Sequence, residues 1–199
     1  MKLLSRASSL LLFLCSCGYH FTDNDKKVTI EVPYVKGDFE GMLTGQLIRE
    51  LETNGHYEYT ARGGEKILKV SIAGDGSDII GWRHDRKVKS GKVEHNLIAV
   101  ENRRTITADV TLVDTLNDKV IWGPIAVVAW ADYDYSDVNS LRQLSFFPRP
   151  GKRASVFDFS MGQLDSVEGA QDDAITPLYR ELARKIVDAL ASNAVSTED

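Results

Sequence analysis

The chain has 199 residues, with 24 Lys and Arg against 29 Asp and Glu, and a formal net charge of −5 at pH 7. This acidic balance argues against a general nucleic-acid binder, so a site for an anionic ligand has to be a local basic patch. Both cysteines lie near the start of the chain, and no later stretch is apolar for long enough to cross a membrane as a helix. These properties favour one domain with a core of its own and exclude a disulfide framework.

The N-terminal segment has the layout of a bacterial lipoprotein signal. Lys2 and Arg6 give a positive start, and residues 7–14 form an apolar run that is too short to span a bilayer. The run ends in "LCSC", where a large apolar residue, then the small Ser16, precede Cys17. The Cys thiol is the only side chain in this segment nucleophilic enough to take a diacylglycerol group. The pattern predicts cleavage after Ser16.

Cys17 is therefore the predicted first residue of the mature chain, carrying a covalent N-acyl diacylglycerol as its membrane anchor and no other cofactor. Cys15 follows Leu14, which does not suit cleavage, and is discarded with the signal. An ordinary secretory signal or a buried N-terminal helix is the alternative. We predict a signal peptide at 1–16, a lipidated linker at 17–26, a single domain at 27–193 and a flexible tail at 194–199.

The first part of the domain alternates strand and helix patterns. Residues 27–35 alternate apolar and polar side chains, which predicts a strand. Apolar residues then recur three and four apart from Phe39 to Leu51, which predicts a helix with Asp38 as its N-cap and Asn54-Gly55 as its stop. Two further strand patterns follow, at 56–61 and 66–73.

The pattern then breaks, because residues 74–102 are mostly polar and predict a long connection between strands. Regular alternation returns at 104–114 and passes through the "TLND" turn into the next strand, which predicts a hairpin. Residues 125–130 of that next strand are nearly all apolar, which predicts that both of its faces are covered. The predicted inward face of the first strand consists of Ile106, Ala108, Val110 and Leu112.

The last third of the chain has a long stretch, residues 136–171, with no clean period. A loop of this length predicts a functional or partly helical segment. The chain closes with an amphipathic helix pattern at 173–193. The predicted fold is α+β, a two-layer sandwich with two amphipathic helices packed on one face of a mixed, mostly antiparallel sheet of four to five strands.

Motifs for catalysis or metal binding are weak. The chain has no nucleophile elbow, no paired-histidine zinc motif and no glycine-rich phosphate loop, and its four histidines have no ligand spacing. The acids Asp132, Asp134 and Asp137 resemble part of a calcium loop but lack its Gly and its distant Glu, so a strand end entering a solvated loop explains them better. We therefore expect no enzyme and no metal.

Two clusters of basic residues stand next to large apolar residues. The first lies in the 74–102 connection beside Trp82, and the second lies in the 136–171 stretch beside Phe146 and Phe147. Cations gathered with apolar side chains suit a ligand that has phosphates beside acyl chains, since Arg offers phosphate a bidentate fork and Lys a point charge. An ordinary solvated loop is the alternative. The clusters comprise Arg83, Arg86, Lys87, Lys89 and Lys92, and Arg142, Arg149, Lys152 and Arg153.

The lipidated Cys17 followed by "GYHF" resembles the opening of the lipopolysaccharide-assembly lipoproteins of the LptE type. The order of elements is also similar, through "KVTIEVPY", "LETNG", "LKVSIAGD", "TADVTLVDTLNDKVI" and "LYRELARKIVDAL". The resemblance implies an outer-membrane lipoprotein on the periplasmic face that plugs a large β-barrel lipopolysaccharide-assembly protein. It also implies a non-enzymatic subunit that binds lipopolysaccharide (lipid A) through basic residues at the end of the domain far from the anchor. From the acidic charge we expect no nucleic-acid partner.

In the family, basic residues in two loops contact the ligand, so the resemblance implies a role for Arg83 in the first loop and for Arg142 or Lys152 in the second. Arg86, Lys87 and Lys89 of the first cluster are further candidates. The alternating polar face of the strand at 104–114 is compatible with a polar barrel lumen. Two other functions stay open, an auxiliary lipoprotein of a phospholipid or solute ABC-type transport system and a periplasmic hydrolase tethered by its lipid.

Overall fold

The protein is described here from a computed structural model, which defines residues 27–38, 40–86, 92–136, 145–155 and 166–195. The strands are β1 (Val28–Glu31), β2 (Tyr57–Thr60), β3 (Lys66–Arg86), β4 (Val93–Asp114), β5 (Val120–Asp134), β6 (Ser145–Arg149) and β7 (Lys152–Ser155). The helices are α1 (Met42–Asn54), α2 (Val167–Asp173) and α3 (Ile175–Val195). The predicted lipidation site, Cys17, lies outside the described residues.

Five strands form one mixed sheet in the order β2-β1-β3-β4-β5, and β6 pairs with β7 in a separate two-stranded sheet. β1 is parallel to both of its neighbours, whereas β3, β4 and β5 pair antiparallel. The predicted α+β fold with two long helices on a five-stranded sheet is confirmed. Among the described residues, no helix is both long and apolar enough to cross a membrane.

The core lies between one face of the sheet and the two long helices. The inward side chains predicted for β4, from Ile106 to Leu112, are buried, as are Leu47 of α1 and Leu182 of α3. Alternation of buried and exposed residues along β4 is what a half-covered antiparallel strand requires. The period-2 pattern therefore predicted this part of the sheet correctly.

The predicted break at residues 74–102 is wrong. β3 and β4 continue through it as a long antiparallel hairpin, from Asp75 opposite Ile106 out to Arg86 opposite Val93. The pairing shifts register between Ile72 and Gly74 and again near Gly81, and each shift moves the following side chains to the other face of the strand. Because of these bulges, and because this part of the hairpin packs against no core, the sequence here lacks the alternation of apolar and polar residues by which a strand is recognised.

The prediction that both faces of β5 are covered is also wrong. Val127 and Ala129 face the helices and are buried, but Val128 and Trp130 point to the other side and stay exposed, Trp130 by 50%. No described element covers this outer face of the sheet. The apolar run in β5 therefore has one side buried against the helices and one side open to solvent.

The unpatterned stretch after β5 contains regular structure where it is described. Residues 145–155 form the β6–β7 hairpin, and α2 precedes the last helix with Ser166 as its N-cap, whose hydroxyl accepts a hydrogen bond from the Gly169 N–H at 3.2 Å. The final helix pattern, predicted at 173–193, becomes α3 at 175–195. This agrees with the expectation of a partly helical segment.

Asp38 holds the start of α1, although it is not the N-cap residue that the sequence predicted. Gly41 occupies that position with φ of 72°. Asp38 Oδ2 instead accepts hydrogen bonds from the Thr44 backbone N–H at 2.8 Å and from the Thr44 hydroxyl at 2.9 Å. The Val35 N–H donates in turn to that hydroxyl oxygen at 3.2 Å, so one carboxylate joins the end of the β1 segment to the helix.

Asp38→Ala should lower the free energy of unfolding by about 1–2 kcal/mol, because it removes both hydrogen bonds to Thr44 and leaves a helix N–H without its acceptor. Asp38→Asn keeps an acceptor oxygen for Thr44, so its stability should stay within about 0.5 kcal/mol of the native protein or exceed it. Urea unfolding of the full chain in detergent, followed by circular dichroism, measures the difference. Equal losses in the two variants would contradict this role of Asp38.

Candidate functional site

The candidate site is the part of the β3–β4 hairpin beyond the helices, which we call the hairpin extension (residues 75–86 and 93–104). Its free end carries exposed apolar side chains on both strands. Trp82 is 54% exposed and Leu97 is 60% exposed, and Ile79 and Val93 are also open to solvent. A group of large exposed apolar residues on one projecting element is typical of a surface that contacts a partner or a lipid.

The basic residue Arg83 lies on this extension, and its side chain is exposed. It stands opposite Ile98, whereas its neighbour Trp82 stands opposite Ala99 and His84 stands opposite Leu97. Because directly opposed residues share a face and successive residues alternate, Arg83 points to one side of the ribbon and Trp82 with Leu97 points to the other. The free end thus places Arg83 on one side of the ribbon and Trp82 with Leu97 on the other.

The structure unites only some of the basic residues predicted to bind lipopolysaccharide. Arg83 and Arg86 lie on the same strand, and Arg86 pairs with Val93 near the end of the hairpin. Lys152 is exposed but belongs to β7, in the separate two-stranded sheet. Lys87, Lys89 and Arg142 lie outside the described residues.

Sequence reasoning noticed Trp82 but missed its apolar counterparts Leu97 and Val93. A signal was present, because "LIAV" at 97–100 is an apolar run inside an otherwise polar stretch. This run alone did not locate the site. The pairing of His84 with Leu97 is what brings the apolar residues of β3 and β4 together at the free end of the hairpin.

Two ion pairs hold the root of the extension. Arg104 binds both carboxylate oxygens of Asp75 across to β3, at 3.0 and 2.7 Å. Arg103 binds both oxygens of Asp132 across to β5, at 2.7 and 2.8 Å. Bidentate pairs of this kind fix orientation as well as distance. The two ion pairs join β3, β4 and β5 at the point where the hairpin extends beyond the long helices.

Hydrogen bonds shift the ionisation of these groups in the expected directions. The bond to Asp75 raises the pKa of Arg104, and the bond from Arg103 lowers the pKa of Asp132. A lowered carboxyl pKa means that this pair contributes stability above the ordinary pKa of Asp and loses it as the pH falls. Asp132 is therefore committed to an ion pair, which agrees with reading the 132–137 acids as a strand end.

Tyr133 adds a polar contact inside the same root. Its hydroxyl lies 2.9 Å from the Ser77 hydroxyl and accepts a hydrogen bond from the Asn102 side-chain amide at 3.3 Å. The ring is buried, and Ala170 of α2 packs against the same small cluster. The root is thus connected to both the third strand and the short helix.

The outer face of the sheet has a distinct composition. Trp130 is flanked by two cations, with Lys185 Nζ 4.4 Å and Arg103 Cζ 5.7 Å from its ring centre. Thr105 and Thr107 lie opposite Trp130 and Val128 on β4, and two glycines lie opposite them on β3. We call this set the outer sheet face (Gly74, Gly76, Thr105, Thr107, Val128 and Trp130).

The described residues contain no group of His, Cys, Asp and Glu arranged to hold a metal ion.

Comparison with solved structures finds lipoproteins of low sequence identity. A putative lipoprotein from Caulobacter crescentus is 19% identical, with a TM-score of 0.46 over 82% of this chain and 88% of that one. The rare lipoprotein B from Shewanella oneidensis is 11% identical, with a TM-score of 0.45 over 86% and 99%. A minor lipoprotein from Acinetobacter baumannii is 16% identical, with a TM-score of 0.40 over 85% and 94%.

None of the curated protein sequences matches the chain. The family model of LptE, described as lipopolysaccharide-assembly, matches residues 26–190. That match covers most of the chain, including the seven described strands, α1, α2 and α3 as far as residue 190. The chain belongs to the LptE lipopolysaccharide-assembly family.

Proposed function

We propose that this protein is a non-enzymatic outer-membrane lipoprotein that binds lipopolysaccharide and plugs the β-barrel that inserts it into the outer leaflet. The observation that carries the proposal is the hairpin extension, which places exposed Trp82 and Leu97 on the same ribbon as Arg83. The anchor in this proposal is the N-acyl diacylglycerol of Cys17, on the periplasmic face of the membrane. Membership of the LptE family supports the assignment.

The chemistry of lipopolysaccharide matches the two sides of the extension. Lipid A has phosphates close to the start of its acyl chains, so a binding surface needs cations and apolar groups within a short distance. Arg83 and Arg86 can make charge-assisted hydrogen bonds to phosphate, and Trp82 and Leu97 can cover acyl carbon that would otherwise face water. Added salt weakens the attraction between the arginines and phosphate, whereas it does not screen the burial of acyl carbon by Trp82 and Leu97.

The outer sheet face supports the second half of the proposal. It is open among the described residues, and its mixture of threonines, glycines and one large aromatic residue suits contact with a largely polar barrel lumen. Trp, Tyr and Arg residues are frequent energetic centres of protein interfaces. In this proposal Trp130, with Lys185 and Arg103 beside it, is such a centre.

Capture through a C-terminal tag should recover a large β-barrel protein in near-equal amount. Trp130→Asp should reduce that recovery at least tenfold, because it puts a charge where the barrel wall contacts the sheet. Leu116→Asp is the matched control, since Leu116 is 94% exposed in the turn between β4 and β5. Recovery of inner-membrane transporter subunits instead of a barrel would favour the ABC-type alternative and overturn the plug.

Charge reversal at the cationic end should weaken lipopolysaccharide binding by about tenfold in low salt, through loss of charge-assisted contacts to phosphate. The variant is Arg83→Glu with Arg86→Glu and Lys87→Glu. Its control, Lys27→Glu with Arg62→Glu and Lys119→Glu, makes the same charge change at exposed positions away from the extension. Binding to labelled lipopolysaccharide measures both, and an unchanged affinity in the first variant would mean that the cluster is only a solvated surface.

Removal of the apolar side chains should weaken lipopolysaccharide binding with a different dependence on salt from that of the charge reversal. Trp82→Ala with Leu97→Ala should weaken binding by a similar factor at low and at high salt, because apolar burial is not screened. Val120→Ala with Ile121→Ala removes exposed apolar residues of β5 and serves as the control. A loss that disappears at high salt would show that these residues act only through the neighbouring charges.

A further inference from the structure

The two ends of the main sheet differ in what they expose. The end that carries the hairpin extension also holds a cavity of about 380 Å³, whose lining includes Asp38, Asp75 and Tyr179. The opposite end carries the connection between β4 and the first residues of β5, which we call the β4–β5 turn (residues 115–121). This turn exposes three large apolar side chains, Leu116 by 94%, Val120 by 48% and Ile121 by 41%. Several exposed apolar residues on one projecting element are typical of a contact surface.

The tip of the β4–β5 turn is held by its own polar groups. Asp114 Oδ1 accepts hydrogen bonds from the backbone N–H of Leu116 at 2.8 Å and from that of Asn117 at 3.3 Å. Asn117 Oδ1 accepts one from the Lys119 N–H at 2.9 Å, and the Lys119 carbonyl accepts one from the Asp114 N–H at 2.9 Å. Asp and Asn side chains commonly close turns in this way. The backbone of Leu116 is therefore fixed while its side chain faces solvent.

The β4–β5 turn lies at the end of the sheet where β1 begins. β1 and β3 are parallel, so they start at the same end, and the last residue of β4 pairs with the first residue of β3. Thr115 donates from its N–H to the Glu65 carbonyl at 3.1 Å and from its hydroxyl to the Gly64 carbonyl at 2.7 Å. The Glu65 N–H donates in turn to the Thr29 hydroxyl of β1 at 3.0 Å. Two strand spacings, about 10 Å, therefore separate β4 from β1.

The start of β1 is also the side from which the chain leads to the proposed anchor. Ten residues, 17–26, precede the described part of the chain, and ten residues reach at most about 35 Å when fully extended. An acylated Cys17 would therefore keep this end of the sheet near the bilayer surface. The free end of the hairpin lies at the other end of β3, about 70 Å away.

We propose that the β4–β5 turn is a second membrane contact, in which Leu116 enters the acyl region of the bilayer that holds the anchor, with Val120 and Ile121 at the bilayer surface. The inference rests on the proposed function, because acylation of Cys17 supplies the attachment. Leu116 gains free energy when it leaves water, and its backbone is already ordered. A lipid on Cys17 limits the distance of the domain from the bilayer but does not set its orientation. A second contact sets that orientation and holds the free end of the hairpin away from this surface.

The charges beside the β4–β5 turn favour apolar insertion over electrostatic attraction. The exposed charged residues that flank the turn and the starts of β1 and β3 have both signs, namely Lys27, Arg62 and Lys119 with Glu58, Glu65 and Asp118. Such a mixture is not the polybasic cluster that anionic lipids attract. The contact should therefore form on neutral phosphatidylcholine and persist in high salt, since apolar burial is not screened.

The first experiment attaches the fluorophore nitrobenzoxadiazole to the full chain through Leu116→Cys and reconstitutes the protein in phosphatidylcholine vesicles. A doxyl-labelled lipid in the vesicles quenches fluorophores that lie in the acyl region. The control is Asp109→Cys, at an exposed position on β4 away from this end of the sheet. We expect quenching of the Leu116→Cys probe to be about threefold stronger, at low and at high salt, because it alone enters the acyl region. Equal quenching of the two probes overturns the proposal.

The second experiment tests whether Leu116 brings its neighbours to the bilayer. The probe is moved to Val120→Cys, and Leu116 is replaced by Asp or by Met. Leu116→Asp should abolish quenching, because a carboxylate does not enter the acyl region, whereas Leu116→Met should keep it. Barrel capture and lipopolysaccharide binding do not involve this turn and should stay unchanged in Leu116→Asp. Quenching that survives Leu116→Asp, or that is lost equally in Leu116→Met, overturns the proposal.

The native chain, treated with the same reagent, separates failure of the anchor from failure of the turn. Its cysteines are Cys15 and Cys17, so a chain that is cleaved after Ser16 and acylated takes no label. Label on a native cysteine overturns both the anchor of the proposed function and the inference that rests on it. A native chain without label, together with an unquenched Leu116→Cys probe, overturns the membrane contact alone and leaves the proposed function standing.

Discussion

The rest of the structure depends on a mismatch of lengths between helices and strands. α3 has 21 residues and is about 31 Å long at the helical rise, whereas β3, also of 21 residues, extends to about 70 Å. A helix can bury apolar strand residues only where it lies over them. Burial by the long helices therefore ends near Ile106 on β4. Beyond that point only α2 packs against the root, beside Tyr133, and the rest of the two strands continues without a second layer. The hairpin extension lies where this cover is missing.

An uncovered two-stranded ribbon is marginally stable by itself, so its root has to be held by other contacts. Arg104 with Asp75 fixes β4 to β3, and Arg103 with Asp132 fixes β4 to β5. Exposed ion pairs contribute little free energy singly, but both of these are bidentate, and Tyr133 adds a buried contact beside them. The main contribution of these ion pairs is to geometry rather than to stability, because they set the direction in which the hairpin leaves the sheet.

The sequence predicted those parts of the fold in which local pattern and burial coincide. Alternation from Ile106 to Leu112 and the helical stripe through Leu182 both face the core, so their periods are visible in the residues. The hairpin extension was missed because it faces water on both sides and because bulges at Gly74 and Gly81 shift its register. The prediction that both faces of β5 are covered was wrong because an apolar run in the sequence looks the same whether its second face is buried or exposed.

The site was predictable in composition but not in arrangement. Residues 79–101 contain five Lys or Arg and three Asp or Glu in a chain of net charge −5, so the basic cluster was evident. The separation of this cluster from the acids at the root was not evident. Asp38, Asp75 and Tyr179 come together only where three segments of the chain meet in the fold. The result is a hairpin whose root lies against an acidic cavity and whose free end is cationic. The fold therefore separates acidic groups at the root from basic groups at the free end along one ribbon.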